Sequence, residues 1–336
     1  MRAILPVIAL CLLALPAGAD IGRRAVDCET ISAAPGCLAA AELRGFVPSG
    51  GMVVLGDRLR LAGIEQRPGD PDRLVILDLS LPDGTVQAVI PLAGEPPLTA
   101  ATEFSPDGTV LLVAPPPEPS ASDTDALMPR ELLVFDDAGQ QTARSTGLAV
   151  TALADAFGEN RLAFDKGFVT LTLDGVGVIR IDLATGAVAE GGLIPDGEWL
   201  YDALFDRVRG WHQGDMVVKT DWNRDGMPSS VMLQSAGASE ARTLIGNPPG
   251  TYDREFARPV LSPDAGRLAV LQLADGAPGP ILLALALPSG NVIWRAMVHQ
   301  TEDRPVQYRW TERGALVLLQ PHPVFGDVTL LLVHQP

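Results

Sequence analysis

Leu77-Asp78-Leu79-Ser80-Leu81-Pro82-Asp83-Gly84 sets a short apolar strand against a turn made of proline, aspartate and glycine. Four further segments have the same build: Val134-Phe135-Asp136-Asp137-Ala138-Gly139, Ile181-Asp182-Leu183-Ala184-Thr185-Gly186, Leu233-Gln234-Ser235-Ala236-Gly237 and Leu285-Ala286-Leu287-Pro288-Ser289-Gly290. Their closing glycines are 55, 47, 51 and 53 residues apart. A spacing near 50 residues, with several strand-like runs inside each unit, is the signature of an array of small antiparallel sheets.

The runs between the turns support this. Met52–Leu55, Leu74–Leu79, Val110–Ala114, Glu131–Phe135, Phe168–Leu173, Val176–Ile181, Met216–Thr220, Leu268–Leu273, Ile281–Leu287, Ala315–Leu319 and Val328–Val333 are short, rich in branched apolar residues, and bounded by Gly, Pro, Asp or Asn. Such punctuation marks strands, and little of the chain has a helical period. The expected fold is all-β: a single β-propeller of six four-stranded blades over residues 46–336, with seven blades left open. Units begin near Phe46, Leu98, Thr151, Leu200, Tyr252 and Pro305. The last unit is one strand short, and Val47–Leu55 is the expected closing strand. The Ala-rich stretch Ala33–Leu43 is expected to form a short helix.

The first residues bound the compartment. Met1-Arg2, an apolar run from Ala3 to Leu15, and Pro16-Ala17-Gly18-Ala19 before Asp20 follow the three-part grammar of a secretory leader, with cleavage expected after Ala19. Residues 1–19 are read as that leader and 20–45 as an N-terminal arm. The run is too short to cross a bilayer, and no second one of spanning length follows. Loss of the leader removes Cys11 and leaves Cys28 and Cys37, an even pair that in an oxidising compartment closes a small loop. A soluble, monomeric protein of the periplasm or exterior is expected.

The full chain carries a formal charge of −16. That balance argues against nucleic acid and anionic membrane surfaces, which demand a concentrated basic patch.

Phe104-Ser105-Pro106-Asp107-Gly108-Thr109-Val110-Leu111-Leu112-Val113 resembles the repeat of the Tol-system periplasmic propeller and its relatives. Leu261-Ser262-Pro263-Asp264-Ala265-Gly266-Arg267-Leu268-Ala269-Val270 is read as a variant one residue longer. The resemblance implies fold rather than activity: proline presets the turn, aspartate bonds its backbone and glycine takes the positive φ. Ala286-Leu287-Pro288-Ser289-Gly290-Asn291-Val292-Ile293-Trp294 is similar to the repeat of quinoprotein-like propellers. Ile181–Glu190 has the same turn but no tryptophan, so the pattern holds once; Trp294 is read as a packing residue and no quinone cofactor is expected. Nor is a nucleotide, since the chain has no phosphate-cradling glycine loop.

Asp221-Trp222-Asn223-Arg224-Asp225-Gly226-Met227-Pro228-Ser229 is the segment best suited to chemistry. Oxygens at alternating positions can wrap one hard cation: Asp221, Asn223 and Asp225 by side chain, Met227 by carbonyl, and Ser229 or water besides. With strand-like runs on either side, it resembles the calcium loops of FG-GAP propellers such as those of integrins. Serine at position 229, where that family has aspartate, lowers the expected calcium affinity.

Trp199, Trp211 and Trp222 fall in one unit and are candidates for a ligand-binding rim. Residues 115–125, Pro-rich and polar, are expected to be an exposed insertion. His212, His299, His322 and His334 have no metal-ligand spacing and are expected in loops or at strand edges. The sequence lacks a G-x-S-x-G elbow and an H-E-x-x-H helix. The leading reading is a non-enzymatic binding or scaffold propeller with an envelope protein or glycan as partner. The alternatives are a six-bladed hydrolase or lactonase with a divalent metal in its channel, and an integrin-like adhesion module.

Overall fold

The computed structural model describes residues 21–31, 34–115, 129–149, 162–165, 167–173, 177–193, 211–213, 216–222, 228–235, 240–248, 251, 253–274, 277–301 and 304–336. The expected leader lies outside these, as does all of the proline-rich insertion except Pro115.

The N-terminal arm contributes β1 (Gly22–Val26), a single helical turn α1 (Cys28–Ile31) and β2 (Cys37–Arg44). The first sheet follows, with β3 (Phe46–Leu55), β4 (Arg58–Glu65), β5 (Arg73–Ser80) and β6 (Val86–Pro91) hydrogen-bonded in chain order. The second holds β7 (Ala101–Phe104), β8 (Leu111–Ala114), β9 (Pro129–Phe135) and β10 (Gln141–Ala149). The third is β11 (Leu162–Asp165), β12 (Phe168–Leu173), β13 (Gly177–Asp182) and β14 (Val188–Leu193). The fourth is β15 (Trp211–Gln213), β16 (Met216–Trp222), β17 (Pro228–Ser235) and β18 (Arg242–Gly246). The fifth is β19 (Arg254–Leu261), β20 (Arg267–Ala274), β21 (Ile281–Ala286) and β22 (Asn291–Met297). The last strands, β23 (Gln307–Trp310), β24 (Leu316–Pro321) and β25 (Thr329–His334), form a sheet in the order β1-β2-β25-β24-β23. Every pairing is antiparallel, and the chain is an all-β propeller.

Two expectations are corrected here. The closing strand of the last sheet is β2 rather than Val47–Leu55: Cys37–Leu43 pairs with His334–Thr329, while Val47–Leu55 lies within β3, the first strand of sheet one, paired with β4. Ala33–Leu43 is correspondingly not a helix, and residues 37–44 belong to the last sheet although they precede Phe46. Alanine is a strong helix former, but intrinsic propensity is a weak prior that tertiary pairing overrides, and here the segment pairs with β25 on one edge and, from Ala40 on, with β1 on the other.

The core sits between sheets. Leu112, Leu132 and Val134 of sheet two pack on Val169, Leu171 and Ile181 of sheet three, and similar layers fill the seams between the other described neighbours. Middle strands are therefore buried on both faces, and β24, β25 and β8 read as continuous apolar runs. Asp78, the charge inside the quoted strand, is buried but paired. Arg60 Nε and Nη2 reach its two oxygens at 2.8 and 2.9 Å, and Arg60 Nη1 donates to the Gly108 carbonyl of sheet two at 2.6 Å.

The described turns also explain why glycine closes two of the units. In the β9–β10 turn a Cβ on Gly139 would meet the Pro91 carbonyl of the preceding sheet at 2.5 Å. In the β21–β22 turn one on Gly290 would meet the Leu244 carbonyl at 2.7 Å. Both have φ near +75°, at 75° and 77°, so conformation and seam contact both require glycine there.

The two Ser-Pro-Asp turns are of equal length, against the expected one-residue difference. Ser105 N donates to Val110 O and Ser262 N to Arg267 O. Ala265 occupies the left-handed position of Gly108, with φ 54° against 69°.

Candidate functional site

Strand alternation gathers the unusual segments on one face. The connections between second and third strands, together with those from each fourth strand to the next sheet, leave from the same end of every sheet. That loop face therefore receives residues 66–72, the anchors of the proline-rich insertion, the hairpin holding the candidate calcium loop, and residues 322–328.

β16 and β17 pair on either side of the candidate calcium loop, with Asp221 opposite Ser230 and Trp222 opposite Pro228. Asp221 is the penultimate residue of the hairpin's first strand and Ser229 is half-buried near the start of the second. Asn223, Asp225 and Met227 lie outside the described residues. Of the rim candidates, Trp211 and Trp222 are on neighbouring strands of sheet four, and Trp199 lies outside the described residues. Among the described residues no group of three His, Cys, Asp or Glu side chains is placed to hold a metal ion.

Cys28 and Cys37 are joined in a disulfide. The loop they close docks on the seam between sheets five and six. Cys28, Ile31, Ala34 and Cys37 pack against the cluster containing Trp294, Ala296, Tyr308 and Trp310, and Gln335 N donates to the Gly36 carbonyl at 2.8 Å.

Around the axis the first strands of neighbouring sheets touch. β3 and β19 bulge, at Pro48/Met52 and Ala257/Val260. Ser49 Oγ meets Thr102 Oγ1 at 2.9 Å, and Gly51 N donates to the same oxygen at 2.9 Å. Tyr308 donates its hydroxyl to the Arg258 carbonyl at 2.5 Å. Beside Thr102, Glu103 is buried, accepts from Phe104 N at 3.1 Å, and faces Arg309 Nη2 at 3.9 Å. Burial pushes its carboxyl up to about 7, against the opposing pull of Arg309 and the Phe104 amide.

The β24–β25 hairpin tip is a second site that sequence reading missed. His322, 5% exposed, accepts at Nδ1 from both Val324 N and Phe325 N at 3.1 Å. Its own amide donates to Val328 O at 2.8 Å, and Val328 N donates to Phe325 O at 3.0 Å. Arg304 braces the turn from outside, bonding the Gly326 carbonyl and, at 2.7 Å, Thr329 Oγ1. On this frame Val324 is 75% and Phe325 49% exposed.

His322 lies in the β24–β25 loop as expected; His334, in β25 with a strand on either side, departs from the loop-or-edge expectation. Both are buried, and His334 sits between β2 and β24, its ring 5.0 Å from Trp294. Burial lowers its pKa, opposed by the Pro35 carbonyl. Glu103 gave no signal because an acid inside a short strand reads as solvated. The His-Pro-Val-Phe-Gly segment at 322–326 has a turn composition, and its two successive apolar residues were the available clue.

No protein-family model matches the chain, and no curated protein matches it in sequence. Among solved structures, a member of the DUF4221 family from Bacteroides vulgatus aligns at TM-score 0.51 and 10% identity, covering 95% of this chain and all (100%) of that one. BamB from Moraxella catarrhalis aligns at TM-score 0.40 and 13% identity over 94% of this chain and 98% of its own. An oligogalacturonate lyase in complex with manganese aligns at 0.37 and 11% identity over 95% and 99%. At these identities the likeness concerns the fold alone.

Proposed function

We propose that this protein is an exported, non-enzymatic binding propeller of the cell envelope, which meets a protein partner through its loop face. One observation carries the reading: Val324 and Phe325 are held out to solvent by a tip whose backbone is bonded from several sides. Apolar side chains on a preorganised projection bind without a large ordering cost, and such residues dominate recognition. The leader grammar of residues 1–19 and the Cys28–Cys37 disulfide support export to an oxidising compartment. No helix among the described residues is long and apolar enough to cross a membrane. The test is photo-crosslinking in cells from a reactive residue placed at Val324, with the protein at native level. Near-stoichiometric capture of one envelope protein, abolished by Phe325→Ser, is the expected result. Absence of such capture, with the protein folded and abundant, overturns the reading.

A second role, stiffening of the Asp221–Ser229 hairpin by calcium, is proposed on the alternating oxygens of that loop. A hydrolase or lactonase reading is favoured by one observation, the protonatable Glu103 beside Arg309 on the innermost strands. Its test is turnover of lactones and esters with added divalent metals, lost in Glu103→Gln; no turnover in any metal removes that reading.

A further inference from the structure

An imidazole nitrogen that accepts hydrogen bonds must be unprotonated, and at His322 one nitrogen accepts two. Val324 N and Phe325 N both point at Nδ1, from 3.1 Å each, so a proton there would face two N–H groups in a buried site. The Phe325 ring lies on the imidazole, centroids 4.8 Å apart, so the same side chain sets both the tip's backbone and its aromatic contact.

The charges around the ring are few among the described residues. From β2, Glu42 Oε1 faces His322 Nε2 at 3.9 Å. Arg24 of β1 and Arg44 of β2 bond that carboxylate at 2.7 and 3.1 Å. Burial raises the Glu42 pKa, but the two arginines outweigh it and keep the group ionised. Arg304, ahead of β23, holds the Gly326 carbonyl and Thr329, with Asp327 of the tip nearby. Glu42 thus offers a charged imidazole compensation on the Nε2 side, while nothing described does so at Nδ1.

We propose that His322 is an acid-sensitive latch: in its neutral form Nδ1 holds the Val324–Phe325 tip in its projecting shape, and protonation releases the tip while the propeller stays folded. The inference deepens the reading of the tip as a contact surface, yet the latch can be read on the protein alone, so the two fail separately.

The experiment is amide hydrogen exchange of the full chain between about pH 8 and about pH 5, the range in which histidines change charge, corrected for intrinsic exchange chemistry. Segments covering Val324–Phe325 and the β24 core around Leu318 are compared. Acidification is expected to cut protection at Val324 and Phe325 by at least about tenfold while that of β24 does not fall, the signature of local opening. In His322→Asn the side-chain oxygen can accept from the amides two and three residues on, as asparagine does in turns, so protection should persist across the range. In His322→Ala it should be low throughout. A flat wild-type profile, an equal loss in His322→Asn, or simultaneous loss in β24 overturns the latch.

Discussion

The indole nitrogen of Trp294 donates to the Pro35 carbonyl across 2.8 Å, joining the outer strand of sheet five to the turn closed by the Cys28–Cys37 disulfide. With Gln335 bonded to Gly36, this loop clasps both the seam and the end of β25. Replacing both cysteines by serine should lower stability by about 2–3 kcal/mol, the chain-entropy value for so short a loop. Trp294→Phe should cost about 1 kcal/mol by leaving the carbonyl without its donor. Denaturant midpoints under oxidising conditions measure both, and unchanged midpoints would mean that the clasp is ornamental.

Glu103 makes a pH prediction with a definite sign. Its carboxyl moves from an ordinary 4.5 to about 7 in the folded chain, so between these values only the folded state holds the proton. Stability should be fully present below about pH 4.5 and fall as pH rises through about 7, by an amount of order 3 kcal/mol. Glu103→Gln should flatten that segment of the profile. Guanidinium unfolding of both proteins at intervals from pH 4.5 to 8 decides the matter; parallel profiles would refute it.

Ala265 and Gly108 hold equivalent turn positions with left-handed φ. Ala265→Gly should therefore stabilise the protein by about 0.5–1 kcal/mol, as relieved backbone strain exceeds the entropy gained by the unfolded chain. The reverse change at Gly108 should cost about 2 kcal/mol, since a Cβ there would also lie 2.6 Å from Leu55 Cδ1. Thermal melts of the two single variants provide the comparison, with changes of the same sign counting against the account.

Calcium should raise the melting temperature, and Asp225→Ala should abolish the rise. A chelator should return the wild type to the variant's value. Identical wild-type melts in calcium and chelator would remove calcium from consideration.

The propeller was legible in the sequence because its physical demands fall on residues with no substitute. Gly139 and Gly290 must be glycine both for φ and for the seam behind them, and that double constraint imposes the spacing near 50 residues. The closing strand was misassigned because β2 owes its conformation to β25, nearly the whole chain away. Local alanine content says nothing about such a partner. Glu103 and Arg309 meet only because the first strands of sheets two and six line one axis. His322 owes its role to a turn geometry that asparagine would have advertised. Proximity between units is what a single sequence withholds.

The pairing of β2 with β25 also sets how the ring closes. β2 and the strand that covers its inner edge, β25, are separated along the chain by the five other sheets. Until β25 is in place, β2 has an open backbone edge and the ring has a gap, so the contact that closes the molecule is one of long sequence separation. A variant lacking Thr329–His334 would leave β2 and β24 without the strand between them, so closure of the ring reports on the presence of β25.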